Sequence, residues 1–138
     1  MYDHSISVED RAEITELYAR YCQYADLCDG EKWAGCFAED GVFSPSLGPG
    51  AGNTYRGREA LAGFIAAPER VPLENRHWNT ALTLERVGAD VSAVCYAFLL
   101  RVAGVETPQI LGSVTYRDLL TKESGSWRFK ERRPTKDS

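Results

Sequence analysis

The stretch RHWNTALTLERVGADVSAVCYAFLLRV, residues 76–102, decides the fold. Upstream of Arg76 the apolar residues recur with a helical period; from Arg76 onward they alternate, as in a pleated strand. Arg76–Val87 and Val91–Val102 read as two strands, and Gly88-Ala89-Asp90 between them has the length and chemistry of a hairpin turn. Two further strands follow, Gln109–Thr121 and Ser126–Arg133, joined at Ser124-Gly125. The connection Ala103–Pro108 is longer and carries no period.

The second of these strands is apolar on both faces. Val91, Ala93, Cys95, Ala97 and Leu99 share one face; Val94, Tyr96, Phe98 and Leu100 share the other. A solvated face would alternate with polar residues, so both faces are expected to be covered. Helices can cover one, and a second copy of the chain is expected on the other, giving a homodimer or homotrimer.

The helices lie upstream. Ser7-Val8-Glu9-Asp10 has the form of a capping box, and Ile14, Leu17, Tyr18, Tyr21, Ala25 and Cys28 follow at helical spacing. This helix is expected to stop near Asp29-Gly30. A short second helix is expected over Glu31–Phe37, then a turn at Asp40-Gly41 into a brief strand, Val42–Ser44. Pro45–Thr54, with two prolines and three glycines, reads as a loop of the kind that frames a site. A third helix starts after Gly57 and stops before Pro68. Helices first and then an antiparallel meander predict an α+β fold, residues 1–138 forming one domain with one deep apolar pocket.

Composition narrows the function. The 138 residues carry a net charge of −4 and a pI near 5.2, which disfavours a phosphate backbone as partner, so no nucleic acid is expected. No apolar run approaches a membrane span, and no basic-then-apolar leader is visible, so no membrane partner is expected and the cytoplasm is the expected compartment. Cys22, Cys28, Cys36 and Cys95 form no C-x-x-C pair and read as buried free thiols; with two histidines at no ligand-like spacing, no metal is expected. Phosphate loops, nucleophile elbows and H-E-x-x-H are absent.

Three places carry candidate chemistry. Alternation puts His77, Asn79, Ala81 and Thr83 on one face of their strand, and Trp78, Leu82 and Leu84 on the other. If the first set faces the concavity, His77 sits inside it among small neighbours; the competing reading is a hydrogen-bonded structural histidine. Asp26 falls on the apolar side of the first helix, where a carboxylate is costly unless paired or used, or else caps the next turn. Tyr21, five residues earlier and about 140° round the axis, flanks the same wall or simply packs in the core. Arg132 or Arg133 supplies a cation at the pocket, or a solvated strand end; Asp118 and Glu106 read as surface charges.

Tyr21, Asp26, the Trp33–Phe37 helix ending at Glu39-Asp40-Gly41, Arg56-Gly57-Arg58-Glu59, His77 and the closing Gly-Ser-Trp-Arg-Phe strand resemble, in order and spacing, the SnoaL-like branch of the nuclear-transport-factor-2-like superfamily. The resemblance spans essentially the whole chain and implies a cone-shaped α+β barrel. The Tyr…Asp…His set is similar to that of scytalone dehydratase and the bile-acid 7α-dehydratases, which need no cofactor. It implies that His77 removes an acidic proton, Asp26 orients it and Tyr21 hydrogen-bonds the substrate oxygen. Where scytalone dehydratase has a second sheet histidine, this chain has Tyr96 and Phe98 in the neighbouring region; with Asn79 and Arg132 these are the expected substrate-binding residues. The expected function is a dehydratase, isomerase or cyclase acting on a small polycyclic or polyketide-like substrate with polar groups. The alternative is a ligand-binding or assembly module such as the small subunit of a ring-hydroxylating dioxygenase, marked by a pocket filled with Tyr96, Phe98 and Trp127.

Overall fold

The computed structural model describes residues 1–137. Helix α1 (Val8–Asp26) opens where the capping box puts it: Ser7 is extended, and its Oγ accepts the Asp10 N–H at 3.0 Å. Its buried side, Ile14, Tyr18, Tyr21, Cys22 and Ala25, repeats at the helical interval. The helix stops at Asp26, earlier than Asp29-Gly30, and Cys28 rather than glycine adopts the left-handed conformation there (φ 54°). Gly30 is needed for a different reason. It opens α2 (Gly30–Ala34), and a Cβ on it would stand 2.5 Å from the Ala62 carbonyl oxygen of α3 (Arg58–Ile65).

The predicted second helix is cut short at Ala34, because Phe37 already begins a strand, β1 (Phe37–Phe43), that runs through the expected Asp40-Gly41 turn. A two-residue strand, β2 (Tyr55–Arg56), pairs with its end and is too short to leave a period. The four long strands are β3 (Asn75–Val87), β4 (Asp90–Arg101), β5 (Gln109–Glu123) and β6 (Ser126–Lys136). The sheet order is β2-β1-β6-β5-β4-β3. β1 runs parallel to β6 and every other pair is antiparallel, so the sheet is mixed. It is curved and unclosed, with β3 at one edge and the helices packed on its concave face.

The predicted phase of β3 holds only for its first half. Ala81 and Leu82 together stand opposite Cys95, a bulge in which Ala81 takes φ 56°. The extra residue reverses the alternation, so Leu82 packs on the core and Leu84 is buried opposite Ala93, on the same face as His77 and Asn79. On β4 the concave face, Val91, Ala93, Cys95 and Ala97, is buried. The convex face carries exposed Tyr96 and Phe98, with exposed Trp78 opposite Phe98 on β3.

Adding one methyl at Gly30 tests the α2–α3 contact. Alanine is the better helix former by at most about 1 kcal/mol, but the obstructing atom is a backbone oxygen that cannot swing aside. Gly30→Ala should therefore lose about 1–3 kcal/mol, the usual cost of overpacking. Thermal unfolding followed by circular dichroism should show a lower Tm; an unchanged or higher Tm would mean that the two helices do not constrain each other.

Candidate active site

α1 ends and β3 begins beside each other, and this brings Asp26 to His77. Asp26 Oδ1 lies 2.7 Å from His77 Nδ1 and also accepts the His77 backbone N–H at 3.1 Å. A carboxylate accepts only, so Nδ1 carries the proton and the neutral ring keeps its lone pair on Nε2. Nε2 has no hydrogen-bond partner among the described residues. The Asp26 side chain is 9% exposed and that of His77 25%. The backbone of residue 26 is also used: its carbonyl accepts the Leu73 N–H at 2.7 Å.

The pair stands in the wall of a cavity of about 230 Å³. Tyr21 from α1, Ala97 from β4 and Tyr116 from β5 form the floor, and Pro45 and Leu47 of the predicted loop lie at its rim. The side chain of Leu47 occupies the place a Cβ would take at Gly112, which is how the loop comes to lie against β5. Tyr21 and Tyr116 are almost wholly buried, and neither hydroxyl bonds to another described residue. Burial pushes the Tyr21 phenol well above its ordinary range and that of Tyr116 up to about 12, so both are neutral donors at physiological pH. Burial likewise raises the Cys22 and Cys36 thiols to about 11 and that of Cys95 to about 12, which removes them as nucleophiles.

The other predicted site residues separate. Tyr96 points from the convex face, away from the cavity, because β4 keeps a strict two-residue alternation with buried Cys95 and Ala97. Phe98 is on that same face, 44% exposed, and is nonetheless among the residues that line the cavity. Asn79 lines a second groove, between α1 and β3, on the far side of the Asp26–His77 pair; its amide atoms are buried without a protein partner. Arg132 is fully buried behind the floor rather than at it, whereas Arg133 pairs with Glu131 at the surface. Its partner is Asp118, read from the sequence as a surface charge but only 6% exposed, with Nε and Oδ1 3.1 Å apart. Tyr116 is the lining residue that sequence reading missed. It falls in an ordinary alternating strand, and only the curvature of the sheet brings it opposite Tyr21. Among the described residues no cluster of three or more His, Cys, Asp or Glu is arranged to hold a metal, and no helix is long and apolar enough to cross a membrane.

Comparison with known proteins gives a family and a fold. Residues 7–133 match the model of the SnoaL-like domain. No match is found among curated proteins. Among solved structures, Rv3472 of Mycobacterium tuberculosis, described as of unknown function, is 36% identical; the alignment covers 94% of this chain and 72% of that one, with a TM-score of 0.81. A nuclear-transport-factor-2-like protein with a cystatin-like fold from Novosphingobium aromaticivorans is 27% identical over 92% of this chain and 81% of its own, with a TM-score of 0.75. A provisionally named scytalone dehydratase from the same organism has 19% identity, coverage of 97% and 88%, and a TM-score of 0.79, a likeness of fold alone. The helices on a curved, unclosed sheet are thus the cystatin-like fold of these proteins, and the chain belongs to the SnoaL-like domain family.

Proposed function

We propose that the chain is a cofactor-independent acid–base enzyme that moves a proton next to a carbonyl in a small, largely apolar substrate. The observation that supports this most is the double hold of Asp26 Oδ1 on His77, through the backbone N–H and Nδ1, which leaves Nε2 as a free base. The carboxylate also stabilises the imidazolium that forms when Nε2 takes the proton. In a dehydration the α-carbon gives its proton to Nε2 and the electron pair moves to the carbonyl oxygen as an enolate. The enolate collapses to the enone, the bond to the β-hydroxyl breaks, and the departing hydroxide takes the proton from Nε2 as water. Isomerisation and ring closure begin with the same abstraction. Tyr21 is the donor proposed for the developing oxyanion. A cavity filled by Tyr96, Phe98 and Trp127 would favour the binding-module reading. The open cavity, with a carboxylate beside His77, favours the enzyme.

The convex face supports self-association. Trp78, Tyr96, Phe98, Ile110 and Leu111 are all more than 40% exposed on or beside it, an apolar patch that a second copy of the chain would cover. We assign it to a homodimer or homotrimer. Sedimentation velocity should give a multiple of the chain mass for the unmodified protein and the monomer mass for Tyr96→Arg. A monomeric unmodified protein at micromolar concentration removes the assignment.

The Asp26–His77 unit predicts non-additive losses. Against a panel of β-hydroxyketones that includes scytalone, His77→Ala should lower kcat by roughly 10²–10⁴-fold. Asp26→Asn should cost less, because the ring remains but loses its orienting acceptor. The double variant should be scarcely worse than His77→Ala. Normal turnover in folded His77→Ala would end the proposal.

A further inference from the structure

Behind the cavity floor lies a charge that the mechanism above does not use. Arg132 is 0% exposed; Nε donates to Asp118 Oδ1 at 3.1 Å and Nη2 reaches Cys95 Sγ at 3.5 Å. Nη1 is buried with no acceptor. In place of acceptors the guanidinium has aromatic faces: its carbon lies 3.8 Å from the ring centre of Tyr116, 4.2 Å from Tyr21, 4.5 Å from Phe129 and 4.7 Å from Tyr18. The three tyrosines are used differently. Tyr18 spends its hydroxyl on Asp118 Oδ2 at 2.5 Å, while those of Tyr21 and Tyr116 are unspent on residues that line the cavity.

A cation over a ring face draws electron density from the ring, and a phenol so polarised is a stronger hydrogen-bond donor. The effect grows as the acceptor gains negative charge, and in a water-excluded site it is little screened. We infer that Arg132 is a positioning residue for an oxyanion site: its guanidinium, stacked on the rings of Tyr21 and Tyr116, strengthens two hydroxyls that together hold the enolate oxygen of the substrate. This rests on the acid–base reading, which places charge on that oxygen, and adds Tyr116 as the second donor. It also defines the ligand class as planar enols and phenols, which carry the same oxyanion at rest. The charge of Arg132 pulls the Tyr21 and Tyr116 phenols downward against the larger upward effect of burial.

The probe is 4-nitrophenol, whose phenolate has its own visible absorbance, titrated while bound. All variants carry His77→Ala, so no imidazolium contributes and the result does not depend on turnover. Replacing the ion pair by apolar residues of similar size, Asp118→Leu with Arg132→Met, in a Tyr18→Phe background so that the hydroxyl bonded to Asp118 is removed with it, takes away the charge without leaving a partner buried alone. The bound phenol should then lose on the order of tenfold in ionisation constant. Tyr21→Phe and Tyr116→Phe should each lower it as well. Tyr18→Phe should leave it unchanged, since that ring touches Arg132 but its hydroxyl does not reach the cavity. If the apolar pair does not fold, Arg132→Lys keeps the charge beside Asp118 and loses the stacked plane; the ionisation constant should still fall. An unchanged constant in a folded Arg132 variant overturns the inference, as does failure of the parent protein to bind the phenol. Loss of the acid–base reading would appear separately, as normal turnover in His77→Ala.

Discussion

Residue 26 holds the site together through its backbone carbonyl and one carboxylate oxygen, both used near the start of β3. Its carbonyl takes the Leu73 N–H, and one carboxylate oxygen takes both the backbone and the ring of His77. The position is electrostatically awkward. A carboxylate at a helix C-terminus meets the negative end of the backbone dipole, and the last turn of α1 carries no basic residue to offset it. The segment that meets this carboxylate is the one bearing His77, whose backbone and ring N–H groups both point at Asp26 Oδ1. The carboxylate that is costly at the end of α1 is thus the group that fixes the orientation of His77.

Around that clamp the core combines small and aromatic side chains. Ala25 and Ala97 stand beside the cavity, whereas Tyr18, Tyr21, Trp33, Phe37, Tyr116 and Phe129 fill the space beneath it with tilted and edge-to-face contacts. The cavity is thus bounded by both small and aromatic side chains, with Tyr21, Trp33 and Tyr116 belonging to its lining as well as to the core. The Arg132–Asp118 pair lies among the aromatic side chains, where its polar atoms meet a hydroxyl, a thiol and ring faces instead of water.

Much of this was legible from residue order. The cap at Ser7, the change of period at Arg76 and the turn at Gly88-Ala89-Asp90 are local signals, and each sits where the structure has it. The features that escaped are set by contacts distant in sequence. Nothing local marks Ala81 as a bulge, because alanine has no preference for positive φ; the two-against-one pairing with Cys95 imposes it. Asp118 and Arg132 occupy strands whose charged neighbours face water, and only their pairing allows burial. The expectation for Tyr96 rests on its place near the second sheet histidine of scytalone dehydratase, whereas the alternation of β4 separates it from Ala97 and turns it outward.

The position of β3 at the end of the sheet has a price and a use. A strand with one open edge presents unpaired amides to any passing chain, a hazard usually met with bulges and charged residues. Here Ala81 interrupts the edge, and Arg76, Glu85 and Arg86 punctuate it. At His77, however, the open edge is what frees the main-chain N–H to meet a side chain instead of another strand. Closing the barrel with a neighbour beside β3 would consume that donor and leave Asp26 gripping the ring alone, free to pivot about one bond. The incompleteness of the sheet is therefore a condition of the rigidity of its histidine.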